Sequence, residues 1–375
     1  MPLQGLAAFI AGLVGFWTIL YLLGRGRSGR VEVKPGYAII RAGIRLEPME
    51  PGPAALFWRL FGLFSLAATA FMAGLFYYFT VNLFVLRYIS PPPGGAPAGF
   101  VPLIPGVTLT WTDTVYVLVA VGIAALVHEL SHAYVGRSVG IRVKDAGIAL
   151  FLFIPAAFVE PDEESLKRAP RRARLLMYSA GVGANTVLAL AILALLSAAA
   201  SGVMIVAVEE GSPAAHAGLM PGDVIVAVNG TRVESVADLA GLLSKAGIGD
   251  PNTTATVELT VERNGERFNI TVYKPEGTPY IGIRIVDYYG VPLWAAVLAR
   301  SLYIINLSLA VINAAPLAIP LPGGMIYADG GHIVRELLEK PLGERQAAAA
   351  AATIGVATLI LVLSLMSLGR LALSP

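Results

Sequence analysis

The sequence predicts a multi-span α-helical membrane protein of about six transmembrane helices, with one small β-rich soluble domain inserted between the fourth and the fifth. Three observations predict this. Of 375 residues, 56% are hydrophobic and only 14% are charged, less charge than a soluble chain of this length exposes. Six apolar stretches, near residues 3–23, 60–86, 109–134, 174–200, 291–312 and 349–369, are each long enough to cross about 30 Å of hydrocarbon. Between the fourth and fifth, the composition changes to short β-branched runs separated by turn residues.

The first stretch, LQGLAAFIAGLVGFWTILYLL, lacks a positive n-region and a small-residue cleavage site, and is too long for a signal h-region, so it reads as a mature helix. Residues 31–47 alternate apolar and polar positions, which predicts a small hairpin. Arg25, Arg27, Arg30 and Lys34 follow the first span, Arg59 precedes the second, Arg142 and Lys144 follow the third, and Lys167 to Arg174 precede the fourth. By the positive-inside rule these flanks are cytoplasmic, while the charge-free PPPGGAPAGF (91–100) lies outside and the amino terminus with it. The apolar stretch 148–161 is short, contains Pro155 and sits between basic flanks, which fits a re-entrant or interfacial segment better than a span.

In the inserted region, VMIVAV, DVIVAV, TVELTV and FNITVY read as strands, with Asn229-Gly230 and Asn264-Gly265 as hairpin or turn signals. Counting spans puts it on the outer face. The expected organisation is residues 1–108 with two spans and the hairpin, 109–200 with two core helices, 201–287 as the inserted domain, and 288–375 as the carboxy-terminal core. A net charge of +2 spread loop by loop argues against nucleic acid as a partner, and the absence of cysteine excludes disulfides and thiolate ligands. A metal would have to be held by His, Asp or Glu.

VHELSHA (127–133) is a polar island inside the third span. His128 and His132 stand four residues apart, hence on one helix face a turn apart, where both can reach one ion; Glu129 is rotated by about 100° and sits beside it. This is the H-E-x-x-H arrangement, in which two neutral imidazoles hold Zn²⁺ and the adjacent carboxylate handles the proton of an activated water. Polar groups at this depth are functional by default, and without cysteine an open catalytic site is favoured over a closed structural one. Ser131 reads as packing.

A third ligand should come from another span at the same depth. Asp329, in NAAPLAIPLPGGMIYADGGHI (313–333), follows prolines at 316, 320 and 322 that interrupt a helix, and precedes two glycines that let the backbone turn sharply. The other reading of Asp329 is a cap on the helix GHIVRELLEK. Asp145 is the competing carboxylate, in a basic loop, and His332 could add a fourth ligand or lie on a helix surface.

VHELSH, NAAP followed by ADGGHI, and SAGVGANTVLA (179–189) together resemble the site-2 protease family of intramembrane zinc metalloproteases. The third of these is similar to the family's Ala-Gly-Pro-x-x-Asn helix, with Val182 where proline is usual; Ala328 stands where the family has Leu before Asp, and MIYA is inserted after the proline-rich stretch. GSPAAHAGLMPGDVIVAVNG (211–230) resembles a PDZ domain of the kind found in proteases. The likeness covers roughly residues 109–333.

The resemblance implies an endopeptidase acting within or near transmembrane segments, with one Zn²⁺ on His128, His132 and Asp329 toward the cytoplasmic side, and Glu129 catalytic. It further implies that Asn185 points to the zinc centre, that Asn185 and Asn313 are candidates to hold the substrate carbonyl or oxyanion, and that AAFVE (156–160), with Ala157, Phe158 and Val159, pairs with an unwound substrate. The expected partners are a transmembrane protein substrate and a peptide or protein terminus at the PDZ-like domain. A zinc-binding transporter or sensor, or an inactive substrate-binding relative, stays open on sequence alone.

Overall fold

The computed structural model describes residues 2–24, 29–92, 99–321 and 324–366. Most of the expected outer loop 91–100 lies outside them, as do Arg25, Arg27 and Pro322. The described chain divides into two compact units, residues 1–191 with 300–371, and residues 192–299. Among the described residues, six helices are long and apolar enough to cross a membrane. Large apolar side chains stand exposed along them, Phe71 at 67% and Leu195 at 69% among others, an outer surface suited to lipid and not to water.

Helix α1 (Pro2–Gly24) is followed by strands β1 (Val31–Lys34) and β2 (Tyr37–Arg41), the hairpin expected over 31–47. Trp17 is buried, and its indole N–H donates to the Leu152 carbonyl at 2.8 Å. Helix α2 (Pro53–Phe84) opens on a proline, which lacks the N–H that a first turn leaves unpaired. Its buried stripe of Gly62, Ser65, Thr69, Met72 and Phe76 recurs every three or four residues. The Ser65 and Thr69 hydroxyls donate to carbonyls one turn back, both at 2.8 Å, so small polar residues are buried with a hydrogen bond made.

Helix α3 (Trp111–Ser138) is capped by Thr110, whose Oγ1 accepts from the Asp113 N–H at 3.1 Å. Strands β3 (Val143–Phe151) and β4 (Ile154–Pro161) follow, so the apolar stretch 148–161 does not span but folds as a hairpin. The four strands form one antiparallel sheet in the order β1-β2-β3-β4, which joins residues 31–41 to residues about a hundred positions later. Strand β4 is an edge, with Ala157 opposite Ile148 and Val159 opposite Ala146 on its one partner. Helices α4 (Glu163–Arg168), capped by Asp162, and α5 (Arg171–Ala199) complete this half.

The second unit contains β5 (Gly202–Val208), the short α6 (Pro213–His216), β6 (Val224–Val228), β7 (Thr231–Arg232), α7 (Val236–Lys245), β8 (Ala255–Arg263), β9 (Glu266–Lys274) and β10 (Ile283–Tyr288). The strands pair in the order β10-β5-β6-β8-β9, with β7 on β6. Both Asn-Gly pairs make the tight turns expected of them: Asn229 and Gly230 have φ of 47° and 76°, and Asn264 and Gly265 of 55° and 84°. Val203, Ile205, Ile225, Leu239, Val257, Leu259, Val261 and Val272 form a core of its own. Lys274 is fully buried, with Nζ donating to the carbonyls of Asp250, Thr253 and Thr278; all three ammonium donors are thereby used.

The chain returns through α8 (Leu293–Ala314), a hairpin of β11 (Ala318–Leu321) and β12 (Gly324–Tyr327), then α9 (Asp329–Leu342) and α10 (Glu344–Ser364). The MIYA insertion supplies most of β12. Asp329 is the first residue of α9, and Ala328 before it makes no side-chain cap. Gly330 lets the chain pass: a Cβ there would stand 2.1 Å from the Ala314 carbonyl oxygen at the end of α8. Arg174 of α5 holds α9 from the other side, reaching Glu336 at 2.8 Å and Glu339 at 3.3 Å.

Candidate metal centre

Helical spacing on α3 puts His128 and His132 on one face, with ring centroids 4.8 Å apart. The turn into α9 brings Asp329 between them: Nε2 of His128 lies 3.2 Å from Oδ2 of Asp329, and Nε2 of His132 lies 3.4 Å from Oδ1. One donor atom from each residue falls within 4.8 Å of the others, and among the described residues this is the only such group of His, Asp and Glu. Donor atoms so close would be expected to bond to one another. Oδ2 of Asp329, which faces Nε2 of His128, is buried without a hydrogen-bond partner, so the 3.2 Å approach lacks hydrogen-bond geometry. Converging donors that leave one another unpaired fit a cation between them.

The surrounding residues aim the set. Nδ1 of His132 contacts the Met177 carbonyl at 2.6 Å; a carbonyl only accepts, so Nδ1 carries the proton and the lone pair is on Nε2, facing Asp329. Gly181, one turn after Met177, lies against the His128 ring: a Cβ there would meet Nε2 and Cε1 at 2.3 Å. A single face of α5, through Arg174, Met177, Tyr178 and Gly181, thus touches both α3 and α9. Neither Met177 nor Tyr178 carried a signal in the sequence. Gly181 lies in the SAGVGANTVLA segment, and its partner is the histidine ring.

His332 stacks on Tyr178 with centroids 4.6 Å apart and planes at 7°, and meets Tyr327 at 5.5 Å; it is not a member of the donor group. Burial holds its imidazole below the usual histidine range. Ser131 donates to the His128 carbonyl at 2.6 Å, a local bond consistent with packing. Asp145 accepts from the N–H groups of Gly43 and Ala146 on the sheet and takes no part in the cluster.

Glu129 reaches β4, where its Oε2 accepts from the Val159 N–H at 3.0 Å. Because both backbone groups of a strand residue point to the same side and alternate along the strand, Val159 and Ala157 turn theirs away from β3, while Phe158 turns inward. The Phe158 ring lies under the Arg41 guanidinium, 5.4 Å away. The expected pairing triplet therefore divides, with Ala157 and Val159 offering the open edge.

Glu129, His132, Asp329 and Val159 line one cavity of about 310 Å³. Asn185 and Asn313 do not line it. Asn185 is fully buried on α5 with both amide atoms unpaired, an expensive state for a side chain that nothing satisfies; Asn313 is half-buried near the end of α8, next to the Ala314 carbonyl that crowds Gly330.

Residues 116–362 match the model of peptidase family M50. An uncharacterized protein of Methanocaldococcus jannaschii is 31% identical over 235 residues, 59% of this chain and 60% of that relative. A putative zinc metalloprotease of Nostoc sp. is 30% identical over 207 residues, 44% of this chain and 55% of that relative. The matches thus span 55% to 60% of the length of these two relatives. Among solved structures, the PDZ domain of an SdrC-like protein from Listeria monocytogenes is 26% identical, with 23% of this chain and 88% of that domain covered and a TM-score of 0.19.

Proposed function

The chain belongs to peptidase family M50, the site-2 protease family, by its match over residues 116–362, and on that premise we propose that it is a zinc-dependent intramembrane endopeptidase. Its substrates are other membrane proteins, cut within or beside a transmembrane segment. The observation that carries the reading is the convergence of His128, His132 and Asp329 around a common point, with Oδ2 of Asp329 left unpaired and Glu129 on the next face of the same helix.

His128, His132 and Asp329 are the ligands of one Zn²⁺ per chain, a three-residue set of the type that leaves a position open for chemistry. A zinc ion held there would supply Lewis acidity, of the kind that lowers the pKa of a bound water toward about 7. Glu129 takes the proton of the attacking water and delivers it to the leaving nitrogen. Met177 fixes His132 in the ligating tautomer, and Gly181 sets the depth of His128. Asn185 and Asn313 lie outside the cavity lining and enter only as candidates for the substrate carbonyl or the oxyanion; for Asn185, two unpaired amide atoms in a buried site one turn beyond Gly181 support this.

A helical substrate shields its amides in its own hydrogen bonds, so it must unwind before it is cut. The open edge at Ala157 and Val159 offers the unwound strand backbone groups that no neighbouring strand holds. A strand that pairs at Val159 takes the N–H now held by Glu129, and the carboxylate is released toward the reacting water. The basic flanks place this site toward the cytoplasmic side and the inserted unit on the opposite side of the cell membrane. There, the outer strands of the PDZ-like sheet would take an extended peptide or protein terminus.

Purified protein incubated with a membrane-embedded peptide tests the proposal. Cleavage that chelator abolishes and zinc restores is the expected result; cleavage indifferent to chelator would sink the zinc assignment.

A further inference from the structure

We propose that the cavity beside Glu129 contains a side-chain subsite that takes an apolar residue of the substrate next to the cleaved bond. The inference rests on the peptidase reading above and adds which residue type is cut.

The position follows from the pleat of the sheet. Residues directly opposite one another on neighbouring strands put their side chains on the same face. Val159 lines the cavity together with Pro161, two residues along β4, and with Val143 opposite Pro161; these three share one face of the sheet, so a substrate residue paired opposite Val159 sends its own side chain toward the same space. Val159 is also the strand residue bonded to Glu129, which fixes this subsite next to the bond being cut and not several residues away.

The chemistry follows from the walls. One wall of the cavity is made by Ile141, Val143, Leu166 and Met177, of which Ile141, Val143 and Met177 are almost fully buried; Asp329, Tyr178, Tyr327 and His332 also line the cavity, with Glu129 and His132. At its floor Gly136 leaves room, since a Cβ there would stand 3.2 Å from Met177. Arg142 also lines the cavity, but its side chain is half exposed, 3.7 Å from Glu47. A charged or small polar side chain finds no buried partner on the aliphatic wall, whereas Leu, Met or Phe exchanges water for apolar contact.

Leu166 is the residue to vary, because it lies on the short α4, packs against the cluster of Ile141, Ala169, Ala173 and Met177, and is neither a metal donor nor the proposed proton carrier. Full-length protein would be given model transmembrane peptides differing only at the position beside the mapped cut: Ala, Leu, Phe or Asp. The Leu peptide is expected to be cleaved at least about 10-fold faster than the Ala or Asp peptide, a difference of the size that apolar pockets deliver. Leu166→Trp should collapse the Leu-to-Ala ratio toward one, and Leu166→Ala should bring Phe up to or above Leu, with zinc content unchanged in both. The ratio of two peptides on one preparation does not depend on how much of the variant folds. Binding of the same peptides to the Glu129→Gln variant, followed by fluorescence anisotropy, should show the same order. A flat cleavage profile, or a ratio untouched by both Leu166 variants, overturns the subsite while leaving the peptidase reading standing. If no peptide is cut, the peptidase reading falls, and an absence of side-chain preference in the binding measurement overturns the subsite as well.

Discussion

Replacing Gly181 by alanine tests how tightly α5 sets the metal site. The added Cβ would stand 2.3 Å from Cε1 and Nε2 of His128, against ordinary contact distances that begin at 3.4 Å, so the ring or the helix must retreat by about 1 Å. Zinc coordination tolerates ligand displacements of only about 0.2 Å, and changes in residues that orient ligands cost about 10- to 100-fold in metal affinity. A shift several times the tolerance belongs at the upper end, about 100-fold or about 3 kcal/mol, which is also the scale of overpacking a filled interior. The assay is zinc affinity by chelator competition on purified protein, with helix content and thermal unfolding measured alongside. Gly183→Ala is the control, because its Cβ meets Ser65 on α2 and not a histidine; it should lower the melting temperature and keep the zinc. Wild-type zinc affinity in Gly181→Ala would refute the reasoning.

Three further outcomes follow from other residues. Val159→Pro removes the N–H that Glu129 holds without breaking a bond to β3, since proline is tolerated where a strand's N–H faces outward; zinc content should stay at one per chain while cleavage falls at least about 10-fold. Asp329→Ala leaves two histidines and should reduce bound zinc well below one per chain by elemental analysis; full occupancy would move the third ligand elsewhere. In the inserted unit, Asp223 is buried and accepts from Nε and Nη2 of Arg263 at 2.6 and 2.7 Å. Its replacement by alanine should destabilise that unit by about 2–3 kcal/mol, seen as faster proteolysis between residues 202 and 288, with zinc binding intact.

What the sequence disclosed is what local spacing encodes. Six spans show as runs of apolar residues, the Asn-Gly turns require φ above zero at both positions, and two histidines four apart share a helix face whatever surrounds them. The parts that were not legible depend on contacts between distant positions. The pairing of residues 37–41 with 147–151 leaves no periodic trace, so 148–161 reads as an apolar segment and not as half of a four-stranded sheet. The orientation of His132 comes from a backbone carbonyl, and every residue type has one. Gly181 was visible as a small residue, but its role depends on which side chain α3 presents to it. Asp329 could be read as a helix start or as a ligand; α9 begins at Asp329 and its carboxylate lies between the two imidazoles, and the ligand role is part of the proposal.

The central claim is that Glu129 moves protons beside an ion that it does not hold. Paired measurement of bound zinc and cleavage rate for Glu129→Gln tests it most directly, since glutamine keeps the shape of the side chain and can no longer accept a proton. The account predicts one zinc per chain and a cleavage rate at least about 100-fold below wild type. A variant that binds zinc and cleaves a membrane-embedded peptide at the wild-type rate would contradict it.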